Sequence, residues 1–270
     1  ALAARGTVGA AAVIPAGMAP GSDVGNMSIL GYNPADFHTG RSPIEAAAVG
    51  ITLNVDEIAF RCNLVTMQDG VMVDFGGGYP ETNAAAEVIE ALEAELGGEA
   101  HFHTGVQYRH TLVAPRAWLD VDCAPPHDFT GRTVPLPTGP AAQPLIDLME
   151  RSRPIVQRYG MDANQIWLWG QGPQPVMKPF AQHYGVAAGM VTAVDLVRGL
   201  GRLTAMTIVE VEGANAWYDT NWEGKRDAAI QGLQDGLDLF IIHVEATDEA
   251  GHAGNAAAKV QALEDWDSAF

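Results

Sequence analysis

The chain has 270 residues, 47% of them hydrophobic, with 30 Gly and 16 Pro, enough to bury a large core as one α/β domain or two smaller ones. Its 33 acidic against 15 basic residues give a net charge of -18, which argues against a nucleic-acid partner because phosphate backbones are bound by concentrated basic surface. No apolar run approaches the ~20 residues that span a bilayer, and the opening ALAARGTVGA lacks the parts of a signal peptide, so no membrane partner is expected and the cytoplasm is the expected compartment.

Cys62 and Cys123 fall in no CxxC spacing and are expected to be reduced, structural thiols. At the N-terminus LAARGTVG reads as the end of a helix running into a strand. At the other end KVQALEDWDSAF carries Val260, Leu263 and Trp266 at helical spacing with no glycine stop, so the sequence is expected to be a piece of a longer chain.

In chain order, MAPGSDVGNMSILGY comes first. Ser22 stands there before a short helix, where a serine serves either as a helix cap or as a nucleophile. A turn-rich GYNPADFHTGRSP follows, then a helical IEAAAVG and a strand EIAFRCNLVTM. VMVDFGGGYPET reads as a strand ending in a glycine loop, and Asn83 to Leu96 as a helix with Val88, Ile89, Leu92 and Leu96 on one face. GVQYRHTLVAP and AWLDVDCAPPHD read as strands, the second ending in a Pro-Pro turn. Ala141 to Tyr159 reads as a helix interrupted at Pro154.

The last third changes texture. GVAAGMVTAVDLVRGLG, AMTIVEVEG and LDLFIIHVEA contain short apolar runs, and DTNWEGKRDAAIQGL between the last two opens with a capping box, Thr220-x-x-Glu223. Apolar strands alternating with capped helices indicate a parallel sheet covered on both faces, with ligands beyond the carboxyl ends of its strands. Directly after LFIIHVEA, Asp248 and His252 stand four residues apart. On a helix that spacing puts a carboxylate and an imidazole on one face, either as ligands of one metal ion or as an N-cap and a solvent-facing histidine.

The strings PAGMAPGSDVGNMSILGYNP, TGRSPIEAAAVGI, AFRCNLVT, MVDFGGGY, YRHTLV, PPHD, IWLWGQG, AVDLVRGLGRL, DTNWEGK and HVEATDEAGHAG together resemble the archaeal-type, cofactor-independent phosphoglycerate mutases of the alkaline phosphatase superfamily. The resemblance runs through nearly the whole chain in order. It implies interconversion of 2- and 3-phosphoglycerate through a phosphoserine at a site with two divalent metal ions, Mn or Mg, and no 2,3-bisphosphoglycerate. GSDVGN makes Ser22 the nucleophile and a metal ligand, and Asp248 and His252 ligands of the other ion. A metal-bound hydroxyl is a better nucleophile, and arginines meet the charge of the transferring phosphoryl group.

Among only twelve arginines, Arg61, then Arg109, then Arg41 are the candidate clamps for phosphate and carboxylate, against an ordinary reading as surface salt bridges. His127 and Asp128 in PPHD and Lys225 in TNWEGK are further substrate-binding candidates; an imidazole pKa suits the proton that a glycerate hydroxyl loses and regains. His101 and His103 match no ligand motif and read as strand residues. The family's other metal ligands, an N-terminal Asp and a C-terminal Asp-His pair and His, have no counterpart here, so the isolated chain is expected to be inactive and prone to aggregate.

The implied fold class is α/β: an alkaline-phosphatase-like parallel-sheet domain formed by residues 1–40 and 180–270, interrupted by an inserted α+β domain at 41–179 that closes over the substrate, with WGQGP at Trp169 to Pro173 as hinge. Two further readings stand beside the mutase: a metal-dependent phosphatase or a mutase for another phosphorylated metabolite, and a non-catalytic chain that binds phosphorylated acids. Oligomeric state has no signature in the sequence.

Overall fold

The structure, a computed structural model, describes residues 4–270, and the chain divides into two compact units, Ala1–His38 and Thr39–Phe270. In the first, helices α1 (Ser22–Ile29) and α2 (Pro34–Phe37) are joined by a turn in which Asn33 accepts from the Ala35 N–H at 3.2 Å. Tyr32 meets Phe37 edge to face at 5.7 Å, and His38 Nε2 lies 2.7 Å from the Asp23 carboxylate. Leu2 and Ala3 of the expected helix end lie outside the described residues. The expected strand from Thr7 does not form: Thr7–Val13 is irregular, because a lone apolar run with no neighbour to pair with leaves its backbone groups unsatisfied.

The second unit opens with α3 (Ser42–Ala48), then an antiparallel sheet built around β1 (Glu57–Gln68). The other strands are β2 (Val71–Asp74), β3 (His101–Val106), β4 (Arg109–Pro115), β5 (Arg132–Thr133) and β6 (Gln165–Gly172). Their order is β3-β4-β1-β2-β5, with β6 on the other side of β1. Helices α4 (Thr82–Leu96) and α5 (Ala142–Val156) bring Val88, Ile89, Leu92, Leu145 and Ile155 into the core that holds Phe60, Cys62, Leu64, Leu112 and Leu168. Burying each such side chain stabilises by about 1.5–3 kcal/mol.

Two sequence expectations are corrected in this half. The strand expected from Ala117 does not form: Arg116–Trp118 is a 3-10 turn and pairing is limited to one bridge from Asp122 to Thr138, while the expected Pro-Pro turn is present at Pro126–Phe129; Pro125 and Pro126 lack the N–H groups that would carry a ladder on. The helix is not interrupted at Pro154. It runs on to Val156 and tightens to a 3-10 turn before Gly160 at φ 62°. Pro154 stands close to the helix end, where buried Ile155 and Val156 and the Ser152 hydroxyl, which donates to Met149 O and accepts from Ile166 N, hold the last turn in place.

Beyond a short helix α6 (Phe180–Tyr184) lies the expected parallel sheet: β7 (Ala188–Val191) is central, flanked by β8 (Thr207–Ile208) and β9 (Leu239–Ile242). Its crossovers are α7 (Asp195–Leu203) and α8 (Trp222–Gln234), followed by α9 (Ala246–His252) and α10 (Ala256–Ala269). The cap of α8 shifts by one residue from the expected box: Asn221, not Thr220, accepts from Gly224 N at 2.8 Å, while Thr220 bonds Asn215. Among the described residues no helix is long and apolar enough to cross a membrane.

Helix α3 ties the two sheets together. It packs Ala46 against Ala59 and Val113 of the antiparallel sheet, its Ser42 hydroxyl donates to Trp169 O at 3.1 Å, and its other side crosses α7 so closely that a Cβ at Gly199 would overlap the Ile44 carbonyl. Gly199→Ala is therefore expected to destabilise the fold by about 2 kcal/mol or more. Urea unfolding measures this, with Gly98→Ala, in open space, as the neutral control; equal midpoints for the two variants would refute the close crossing.

Candidate active site

Three arginines distant in sequence line one cavity of about 220 Å³. The β1/β4 register sets Arg61 opposite Thr111 and Asn63 opposite Arg109, so with side chains alternating along each strand these residues share one face. Helix α3 lies on that face, with Arg41 at its N-terminus and Glu45 one turn on. The far wall is the segment after β7, at Asp195, together with Glu245 and Glu249 of the α9 region.

Glu45 organises the basic wall. Arg41 Nε donates to its Oε1 at 2.9 Å, and Arg61 Nη1 donates to both of its oxygens at 2.5 Å. Arg61 is 8% exposed, gives its Nε to Asn63 Oδ1 at 3.2 Å, and sits over the Trp169 ring at 5.6 Å. Burial pushes the Glu45 carboxyl up, but the charges and hydrogen bonds of Arg61 and Arg41 outweigh it and hold it below its usual range. Arg109 lies over the Tyr108 ring at 5.7 Å, and its buried Nε has no hydrogen-bond partner among the described residues, leaving a donor for a ligand.

His127 and Asp128 form part of the turn Pro126–Phe129, with His127 Nε2 3.6 Å from Asp128. The imidazole packs edge-on to Trp169 at 5.3 Å and to Phe75 at 6.2 Å, which joins it through Trp169 to Arg61. Burial lowers its pKa, Asp128 opposes this, and Arg41 and Arg61 lower it further. The glycine loop before it is fixed by Asp74, whose carboxylate accepts from Gly76 N and Gly78 N at 2.8 Å each.

At the carboxyl end of the parallel sheet a second group converges. Buried Lys225 donates to His243 O at 3.1 Å, and burial lowers its pKa against the attraction of Glu245. His243 is neutral, pushed down to about 4 by burial and by Lys225. Val194 N–H donates to Thr192 Oγ1, whose hydroxyl then serves His243 Nδ1 at 3.0 Å, leaving Nε2–H for Glu245 at 3.2 Å. Burial, with Asp248 and Glu249, raises the Glu245 pKa.

Asp248 and His252 stand on one face of α9, with His252 Nε2 3.1 Å from Asp248 Oδ2 and both side chains more than half exposed. Asp248 is not the N-cap; that position is Glu245, and it makes no side-chain cap bond. A carboxylate and an imidazole suit a divalent ion and supply two donors; no group of three or more potential ligands converges among the described residues. Ser22, in the other unit, is the first residue of α1, and the cap position belongs to Gly21 with no side-chain cap bond. Ser22 therefore does not serve as the cap. His101 and His103 are strand residues, as expected.

Glu45, Thr192, His243 and Glu245 were not singled out from the sequence. Their signals were an i,i+4 Arg–Glu pair in RSPIE and polar residues directly after the runs GMV and LFII.

Glu45→Gln is expected to lower stability at neutral pH by about 3 kcal/mol, because two guanidiniums lose a buried counter-charge. Since the folded carboxyl titrates below its reference value of 4.5, its contribution is whole above that pH and is lost as pH falls through the lowered folded value. Urea unfolding of both proteins across acid pH should show the difference shrinking below that reference; a pH-independent difference would remove the charge pairing as its source.

Residues 3–160 match the family model described as 2,3-bisphosphoglycerate-independent phosphoglycerate mutase. The enzyme of that name from Methanosarcina barkeri is 43% identical over 99% of this chain and 70% of its own length. The solved cofactor-independent phosphoglycerate mutase of Thermoplasma acidophilum superposes with a TM-score of 0.59 at 26% identity, covering 93% of this chain and 69% of that one. A Pyrococcus horikoshii protein shares the fold, with a TM-score of 0.70 at 23% identity over 95% of this chain and 64% of that one. The chain therefore belongs to the 2,3-bisphosphoglycerate-independent phosphoglycerate mutases, isomerases that interconvert 2- and 3-phosphoglycerate in glycolysis.

Proposed function

We propose that Ser22 carries the phosphoryl group during this interconversion, and that Arg61, Arg109 and Arg41 hold the phosphate and carboxylate of the glycerate. The observation that carries the reading is the shared cavity of the three arginines, assembled from three separate elements with an unpartnered Arg109 donor. Ser22 Oγ forms a bond to phosphorus as the bond from phosphorus to the glycerate oxygen breaks, and that oxygen takes up a proton. The second hydroxyl then gives up its proton, attacks the phosphoserine and frees Ser22. His127, beside Trp169 and held by Asp128, holds the travelling proton, its lowered pKa favouring the neutral form. Lys225, buried at the sheet end, adds a positive charge toward the substrate.

Asp248 and His252 are the proposed ligands of one divalent ion, and Ser22 of a second, with Mn or Mg preferred. Such ions would supply Lewis-acid stabilisation of the phosphoryl oxygens and a lowered serine pKa. Charge balance supports this: Glu245 and Glu249 face the cavity opposite the arginines, and an anionic substrate between them needs a positive counterpart on that side. In this reading residues 41–179 are the inserted domain, with its hinge near Trp169 to Pro173, closing over residues 1–40 and 180–270, and the enzyme works in the cytoplasm.

In a chain that also carries the family's remaining metal ligands, Ser22→Ala should abolish mutase turnover while leaving the unfolding midpoint within the range of a neutral surface change, since no cap bond is lost. Turnover near that of the parent would reassign the phosphoryl carrier. Asp248→Asn should weaken Mn binding at least tenfold by calorimetry, independent of any assay of turnover. Equal Mn affinity in parent and variant would remove Asp248 from the ligand set.

A further inference from the structure

A second cavity, larger than the arginine-lined one, has no part in the proposed chemistry. It measures about 760 Å³ and opens between the end of α3, the strap Pro173–Met177 and the last turn of α7. Its lining is mixed, with the apolar Ile51, Leu53, Met177 and Leu203 beside the polar Asn54 and Gln174, and two guanidiniums stand in it: Arg116, from the turn after β4, and Arg202, from α7. No Asp or Glu lines it, although the chain carries 33 acids and a net charge of -18.

The two arginines differ from the five of this protein that are tied up in ion pairs. Arg41, Arg61, Arg158, Arg198 and Arg226 each pair with a carboxylate. Arg116 and Arg202 have no carboxylate within ion-pair distance among the described residues; Arg116 makes only a long contact to Val55 O at 3.4 Å. Both are exposed, so neither charge is spent on the fold. An acid-free hollow holding two open guanidiniums is a local positive field in an otherwise negative surface, and guanidinium forks match phosphate oxygens. The volume falls in the range of small-molecule sites, and the apolar side chains of its mixed lining suit the body of the ligand while the arginines suit its charge.

We propose that this hollow binds a phosphorylated small molecule with an apolar or planar body, at a site separate from the one that takes phosphoglycerate. Such a ligand would contact both Arg116, on the antiparallel-sheet side, and Arg202, on the parallel-sheet side, across the strap that connects β6 to α6. The proposal does not depend on the phosphoserine chemistry.

The test is calorimetric titration of the whole chain with adenosine monophosphate, and with inorganic phosphate as the head-group control. Adenosine monophosphate should bind at one site per chain and more tightly than inorganic phosphate. The Arg116→Gln/Arg202→Gln double variant should lose at least about tenfold in affinity while keeping its parent's circular dichroism. Val176→Asp, which sets a carboxylate at the exposed strap of the same mouth, should weaken binding independently, and Arg61→Gln should leave it unchanged. Affinity unchanged in the double variant, affinity lost only with Arg61→Gln, or no binding at millimolar concentration would each overturn the proposal.

Discussion

The carboxylate of Glu45 is the constraint on which the basic wall depends. Two guanidiniums, one of them almost wholly buried, face the same cavity, and at short range their repulsion in a poorly solvated site amounts to several kcal/mol. Glu45 cancels one charge and fixes the planes of both groups, so that N–H donors not used by it are already aimed when an anion arrives. That geometry depends in turn on α3. The helix is pinned by Ser42 to the backbone of β6 and by its contact with Gly199 to α7, so the arginines are positioned by packing on both sides rather than by their own flexible stems.

The cavity has two electrostatic walls, and they come from different sheets. The antiparallel sheet and α3 contribute cations, while the segment after β9 contributes carboxylates together with a neutral His243 locked between Thr192 and Glu245. A histidine held neutral by burial cannot compensate Glu245, whereas Lys225, which donates to the His243 carbonyl, keeps a charge that attracts Glu245. With Glu249 also in the wall, carboxylates outnumber cations on that side.

Much of this was legible in the sequence where a pattern is local. The helix at Asn83 to Leu96, the long strand from Glu57 and the three apolar runs of the parallel sheet follow from periodicity and run length, and the Asp248–His252 pairing from helical spacing. What was not legible depends on partners distant in the chain. Ala117–Asp128 has strand-like residues, but its pairing is limited to the single bridge from Asp122 to Thr138. The cap of α8 went to Asn221 because Thr220 found a better bond in the loop before it. Glu45 was not singled out, because its pairing with Arg61 depends on the packing of α3 against β1, sixteen residues on. The arginines themselves were singled out through a family resemblance; composition alone makes them scarce, not convergent.

Trp169 occupies an unusual position in this arrangement. Its indole lies under the Arg61 guanidinium and against the edge of His127, with its Nε1–H on Asn63, so a cation, an imidazole and an amide all touch one ring. Indole emission is quenched and shifted by such neighbours, and any anion that draws Arg61 away or changes the charge on His127 alters that environment at once. Behind the arginine wall, the protein therefore carries an indole whose emission senses Arg61 and His127, one of six tryptophans in the chain.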